Sequence, residues 1–138
     1  MGRVFFDTRK NIVDVSAAKT LLPSDSGSVF MINQASAYDI ALPAASDAQR
    51  GWNAEFILGT ADSNAVTISA TTGDGDNIHG HSIDGEDGAA QTVTEGTGVD
   101  VITFASGATK GDRVSLMCDG VSYYVFGLAA DKVHITLT

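Results

Sequence analysis

Two histidines that lie two residues apart have the spacing in this sequence that most suggests chemistry. His79 and His81 flank a glycine, and Glu86 follows five residues after the second histidine. Residues two apart on a β-strand point to the same side of the sheet, so both imidazoles would face one site. Two imidazoles and one carboxylate form a plausible ligand set for iron, manganese or zinc. The alternative interpretation places the two histidines in a polar loop or at a contact between subunits.

The spacing of the two histidines and Glu86 resembles the first metal-binding motif of the cupins, which are double-sheet jelly rolls. The glycine that this motif places seven residues after its glutamate is Val93 here. The second cupin motif is missing, because the only prolines are Pro23 and Pro43 and the one other histidine is His134. We therefore predict no metal site and no cofactor. A small metal-dependent cupin-type enzyme is the least favoured hypothesis.

The other catalytic signatures that we sought do not occur in the sequence. The carboxylates between residues 74 and 87 do not follow the ligand spacing of a calcium-binding EF-hand loop. There is no nucleophile elbow, phosphate-binding loop or dinucleotide-binding glycine pattern. The single cysteine, Cys118, alternates with Val114 and Leu116, which predicts a buried thiol. We therefore predict that the chain is not an enzyme.

The distribution of charge excludes some classes of partner. The chain has 138 residues, enough for one domain with its own core, and a net charge of −9. Residues 1–19 carry a net charge of +2 and residues 20–138 a net charge of −11. An acidic body argues against binding to nucleic acid. The absence of a long apolar run argues against a membrane span, and the first residues lack the apolar stretch of a signal peptide. We expect synthesis in the cytoplasm.

Alternation of apolar and polar residues recurs along the chain and predicts β-strands. The runs with this period are residues 38–42, 52–58, 66–70, 102–104, 114–118, 121–125 and 133–137. Turns rich in Gly and Asp separate them at intervals typical of a sandwich or barrel, and Asp119-Gly120 is expected to form a hairpin turn. Residues 43–50 suggest a short helix, and residues 77–83 a further strand within a polar loop. We predict an all-β fold, an antiparallel β-sandwich or jelly-roll-like domain over residues 19–138.

Residues 1–18 are predicted to form an extended N-terminal arm. They contain β-prone apolar residues around Phe5 and Ile12, but polar residues interrupt both groups. Apolar residues on an extended segment need a partner, which is either the chain's own sheet or a neighbouring chain. The alternative that the sequence leaves open is that these residues form the first strand of the sandwich.

From about residue 20 to residue 130, the sequence resembles a β module that is common in structural proteins of tailed bacteriophages. The segments that carry the resemblance occur in the same order as in that module. They are residues 21–33 (LLPSDSGSVFMIN), 39–43 (DIALP), 52–59 (WNAEFILG), 66–70 (VTISA), 75–80 (GDNIHG) and 111–127 (GDRVSLMCDGVSYYVFG). In those phages the module occurs in tail fibres and spikes, head fibres and capsid decoration (cement) proteins. The short chain and the arm favour a decoration protein.

This resemblance implies a structural virion protein. Decoration proteins of this kind usually form homotrimers on the outer surface of the capsid, and their N-terminal arm often pairs with the major capsid protein. On this basis we expect the arm to bind the capsid. The residues expected to do so are Arg3, Val4, Phe5, Phe6, Arg9, Lys10, Ile12 and Val13. The alternative hypothesis is a receptor- or glycan-binding module of a phage fibre or spike. An outward-facing tyrosine at position 123 or 124 and the polar loop of residues 72–90 motivate it.

Overall fold

Two β-sheets packed face to face form the fold. The structure is a computed structural model that describes residues 9–70, 78–85 and 93–138, with residues 93–95 described by their backbone only. Within these residues, one sheet has seven strands and the other has five. The buried apolar side chains lie between them in one continuous core. The predicted all-β sandwich is confirmed.

The first six strands alternate between the two sheets. The seven-stranded sheet contains β1 (Ile12–Val15), β3 (Ser28–Asn33) and β5 (Asn53–Thr60), while the five-stranded sheet contains β2 (Lys19–Thr20), β4 (Tyr38–Ala41) and β6 (Val66–Ser69). Neighbours within each set pair in parallel. Parallel neighbours need a crossover connection, and here each crossover passes through the opposite sheet. A 3₁₀ turn at Pro23–Asp25 and the helix α1 (Ala45–Ala48) lie on these connections.

The later strands form mostly antiparallel pairs. They are β7 (Ile78–Asp84), β8 (Val93–Val99), β9 (Val101–Phe104), β10 (Arg113–Cys118), β11 (Tyr123–Ala129) and β12 (Ile135–Leu137). β10 pairs antiparallel with both β5 and β11, whereas β11 and β7 are parallel. The strand order is β1-β3-β5-β10-β11-β7-β8 in the larger sheet and β12-β9-β6-β4-β2 in the smaller.

The sheets are mixed, which differs from the antiparallel sheets expected from the sequence. Five of the ten strand pairings between described residues are parallel and five are antiparallel. The physical reason is that period-2 alternation fixes which side of a strand is buried and carries no information about the direction of its neighbour. The strand order does not establish a jelly-roll connectivity.

Aromatic contacts anchor the core where the two sheets meet. The rings of Phe30 and Phe56 stack with centroids 5.2 Å apart, and Trp52 meets Tyr123 edge-on at 5.8 Å. The Tyr123 hydroxyl donates to the carbonyl oxygen of Pro43 at 2.5 Å, so this buried phenol has its hydrogen bond.

The alternating runs predicted from the sequence have their expected side buried, except that Tyr38 is half-buried and Val121 and Val133 are exposed. Both valines lie just outside strands, in turns that Asp119 and Asp131 stabilise by accepting hydrogen bonds from backbone N–H groups. The short helix lies within the predicted range of residues 43–50, and β7 begins and ends one residue later than the predicted range of 77–83.

The second half of the predicted arm is part of the sandwich. Ile12–Val15 forms β1, the edge strand of the larger sheet, and Val15 is buried. The Tyr38 hydroxyl lies 2.7 Å from the carbonyl oxygen of Val15 and links β1 to the opposite sheet. For these four residues, the structure shows the alternative that the sequence left open. Residues 1–8, which include Arg3, Val4, Phe5 and Phe6, lie outside the described residues.

Candidate functional site

The outer face of the β10–β11 hairpin exposes a row of large apolar side chains. Met117 is 59% exposed, Tyr124 48%, Phe126 57% and Leu128 42%. We call these four residues the outer band. They alternate with buried residues along both strands, so the opposite side of the same hairpin lies in the core. The largest contiguous apolar patch on a soluble protein is often functional, which makes the outer band a candidate site of interaction.

Phe126 forms a ridge between two hollows on this face. The large hollow has a volume of about 460 Å³ and extends from Lys10 and Val29 across to Tyr124 and Phe126. The small hollow has a volume of about 260 Å³ and lies on the side of Leu128. Ser115 lines both hollows and lies opposite Phe126 in the strand register. A serine between larger neighbours leaves this space open.

Few charged side chains line the two hollows. Among the described residues they are Lys10, Glu55 and Arg113. Lys10 Nζ lies 2.8 Å from Glu55 Oε2, and the lysine side chain is mostly exposed. An exposed pair of this kind contributes little to stability, about 0–1 kcal/mol. The effect of the ion pair is local: Lys10 neutralises the carboxylate of Glu55 at the edge of the large hollow.

The turn at the end of the hairpin holds Tyr124 in place. The Tyr124 hydroxyl donates to Asp119 Oδ2 at 3.0 Å, and Asp119 Oδ1 accepts hydrogen bonds from the backbone N–H groups of Val121 and Ser122 at 2.8 Å each. The N–H groups of Ser122 and Val121, followed by the Tyr124 hydroxyl, lower the pKa of Asp119. The hydrogen bond to Asp119 and the charge of its carboxylate raise the pKa of Tyr124. Tyr124 is thus ordered although it is exposed.

His79 and His81 lie on the same side of β7, as their spacing predicted. In the register of the parallel pair they stand beside Tyr124 and Phe126. The rings of His79 and Tyr124 are 6.0 Å apart, and His79 Nδ1 accepts a hydrogen bond from the backbone N–H of Gly98 at 3.2 Å. Glu86, the third residue of the candidate metal-binding spacing, lies outside the described residues. Within the described part of the chain, no group of three potential metal ligands comes together.

The cysteine and the third histidine lie away from the outer band. Cys118 is buried; its thiol lies 3.6 Å from the carbonyl oxygen of Ala45 and accepts from the N–H of Gly120 at 3.3 Å. A buried cysteine packs in the core as a small apolar residue. His134 Nδ1 lies 2.9 Å from Asp112 Oδ2. Because Asp112 also accepts hydrogen bonds from two backbone N–H groups, its position indicates a structural role.

Of the residues predicted to bind a capsid, the structure describes the last four. Arg9, Lys10 and Ile12 line a further open depression of about 420 Å³ beside the edge strand, and Val13 packs against the core. The sequence analysis did not predict the exposure of Met117, Phe126 and Leu128. The signal was present, because residues 123–129 are apolar at almost every position and lack the polar alternation of a half-exposed strand.

The comparisons with known proteins do not assign this chain to a family. No family model matches it, and no curated protein or solved structure matches it either. Among the described residues, no helix has the length and apolar character needed to cross a membrane.

Proposed function

We propose that this protein is a structural component of a bacteriophage virion that binds the outer surface of the capsid and stabilises it as a homotrimer. No catalytic step and no cofactor belong to this role. The observation that carries the proposal is the outer band, because an ordered apolar surface on a regular sheet suits a permanent contact with another protein. The resemblance of residues 20–130 to a phage structural module supplies the setting.

In the proposed mechanism, contacts between subunits and contacts with the capsid each bury apolar surface and so stabilise the particle. Each subunit keeps its own core between the two sheets, and contacts with other chains bury further apolar area at about 25 cal/mol per Å². Three linked subunits bind a symmetric capsid site with avidity even when a single contact is weak. The free energy of binding then resists the outward pressure of packaged DNA on the capsid shell. The major capsid protein is the proposed partner.

The test is binding to purified empty phage heads, with a deletion whose limits the structure sets. Because β1 (Ile12–Val15) belongs to the sheet, only residues 2–8 are removed. We expect the full chain to bind heads and the deletion to weaken binding by at least about tenfold. The matched control replaces residues 2–8 by a Gly/Ser segment of equal length. Full binding by the deletion would contradict a role for the arm, and no binding by the full chain would contradict the capsid proposal.

A second candidate function is recognition of a glycan by a fibre or spike. The specific observation that favours it is the position of Tyr124 and Phe126 along one edge of the large hollow, with the polar side chains of Asn53 and Glu55 nearby. Aromatic rings beside hydrogen-bonding groups are able to hold a sugar ring. A glycan array and an adsorption assay on host cells separate the two candidates, because a decoration protein binds heads and ignores cells.

A further inference from the structure

The outer band is large enough to form the centre of a protein interface. A fully exposed large side chain offers about 200 Å², so four side chains that are each about half exposed present roughly 400 Å². A stable interface buries about 800 Å² on each partner, with an apolar centre and a polar rim. The outer band therefore supplies about half of this area, and the polar residues around the hollows supply the rim.

The relief of this face is complementary to itself. Phe126 projects between the large hollow and the small hollow, so one surface carries both a ridge and the space for a ridge. In the proposed trimer, Phe126 of each copy enters a hollow of the next copy around the three-fold axis, as a closed ring of head-to-tail contacts requires. Aromatic residues at the centre of an interface, seated in a pocket, typically contribute most to binding.

The charge of this face also favours a second copy. The whole chain has a net charge of −9, which makes two copies repel one another over most of their surface. Among the described residues, the charged side chains that line the hollows are two basic residues, Lys10 and Arg113, and one acidic residue, Glu55. Asp119, which accepts the hydrogen bond from Tyr124, adds one carboxylate at the edge of the outer band. These four charges balance, so two copies repel one another less here than over the acidic remainder of the surface.

From these three observations we infer that the outer band is the contact between copies of this chain, with Phe126 as its central residue. The inference rests on the proposed function, because it names the surface through which the proposed trimer assembles. The residues before β1 and the rest of the surface remain available for contact with the capsid. The binding partner of the outer band is a second copy of this chain.

The experiment compares the solution mass of the full chain with that of two variants. Phe126→Asp places a charge at the centre of the outer band, and Val133→Asp adds the same charge at another exposed apolar position. We expect the wild-type chain and Val133→Asp to form oligomers in sedimentation equilibrium. For Phe126→Asp we expect the dissociation constant to rise at least about 30-fold. Circular dichroism and thermal unfolding verify that both variants are folded.

Two results would overturn the inference. One is a wild-type chain that stays monomeric over a wide range of concentration, and the other is a Phe126→Asp variant that assembles as the wild type does. If Phe126→Asp does not fold, Met117→Lys tests the same face at a side chain that is 59% exposed and outside the core. An oligomer of Met117→Lys with unchanged affinity then counts against the inference.

Binding to empty heads separates failure of this inference from failure of the proposed function. A monomeric wild-type chain that binds heads and loses that binding in Phe126→Asp overturns the inference, because the outer band then contacts the capsid. A wild-type oligomer that Phe126→Asp dissociates, but that does not bind heads, keeps the inference and overturns the capsid role. A dissociated Phe126→Asp variant that binds heads more weakly than the wild-type oligomer supports both, because the avidity of three linked subunits is then lost.

Discussion

The two faces of the β10–β11 hairpin are chemically similar and differ in what covers them. On the inner face, Val114, Leu116, Cys118, Tyr123 and Val125 are at most 6% exposed. On the outer face, Met117, Tyr124, Phe126 and Leu128 are about half exposed. This difference shows that an apolar side chain on a strand is not necessarily buried in the core of its own chain. It also predicts that equal substitutions on the two faces change different properties, stability on the inner face and association on the outer face.

The largest effect is expected where β11 meets β7 without space for a side chain. Gly80 has a φ of +143°, and a Cβ atom there would lie 1.9 Å from the carbonyl oxygen of Val125. Gly80→Ala must separate the parallel strands, and we expect a loss of more than about 4 kcal/mol or no folding. The measurement is urea unfolding, or yield of folded protein if the variant is unstable.

Gly107→Ala is the matched control for the clash at Gly80. Gly107 also has a positive φ, +90°, but a Cβ atom there has no neighbour within 4 Å. Only backbone strain of about 1–2 kcal/mol is therefore expected. Equal losses in the two variants would show that strain, and not the contact between β7 and β11, determines the cost.

The second prediction contrasts one phenylalanine on each face of the seven-stranded sheet. Phe56 is fully buried and stacks on Phe30, whereas Phe126 is 57% exposed. We expect Phe56→Ala to cost about 3–5 kcal/mol. For Phe126→Ala, measured by urea unfolding at low protein concentration, we expect less than about 1 kcal/mol. A large loss in Phe126→Ala under these conditions would show that the chain's own residues cover this side chain.

The inner face is the part of this fold that the sequence predicts well. Trp52, Ala54, Phe56 and Leu58 alternate with less apolar residues, and all four are buried as expected, Trp52 directly before β5 and the other three within it. Burial of alternate residues is a local property, since each side chain needs only to be on the correct side of its strand. The spacing of His79 and His81 was informative for the same reason.

The pairing of strands and the importance of the outer face were harder to predict. The parallel neighbours β3 and β5 are separated by a whole strand in the other sheet, so no local pattern links them. At the hairpin turn, Asp119-Gly120 was expected at the centre, but Asp119 hydrogen-bonds to Ser122 and only Gly120 has a positive φ. Phe126 follows the predicted alternation. Whether another part of the chain packs on its outward side depends on the arrangement of the whole fold, which a local sequence pattern does not describe.

The third prediction concerns a buried polar group that joins the loops at one end of the sandwich. Asp112 is 4% exposed and accepts hydrogen bonds from the N–H groups of Thr109 and Ala130 at 2.7 and 2.8 Å. Asp112→Asn keeps the size but turns one oxygen into a donor, which leaves one buried N–H without its acceptor. We expect a loss of about 1–3 kcal/mol. Chemical denaturation measures this loss. An exposed carboxylate, Asp62→Asn, is the control. An unchanged free energy of unfolding in Asp112→Asn would mean that a water molecule accepts the hydrogen bond from the N–H group that the carboxylate oxygen no longer serves.

The smallest effect is expected at the hydrogen bond that orders the outer face, between Tyr124 and Asp119. The lowered pKa of Asp119 stabilises the fold at pH values above the ordinary aspartate pKa of about 3.9. This contribution is lost as the pH falls through the folded-state pKa. The raised pKa of Tyr124 has the opposite effect on stability. It stabilises the fold at pH values below the ordinary tyrosine pKa of about 10, and this contribution is lost as the pH rises through the folded-state pKa.

Tyr124→Phe should therefore remove the alkaline contribution and leave most of the acidic one. The N–H groups of Ser122 and Val121 remain bound to Asp119 in the variant, so its pKa should rise only slightly and stay below the ordinary value. An NMR titration of the Asp119 carboxyl group measures this shift. Tyr38→Phe, whose hydroxyl lies at β1 and far along the chain from Asp119, is the control. An unchanged Asp119 pKa in Tyr124→Phe would show that the bond does not form in solution, and that Tyr124 is held only by its neighbours on the outer face.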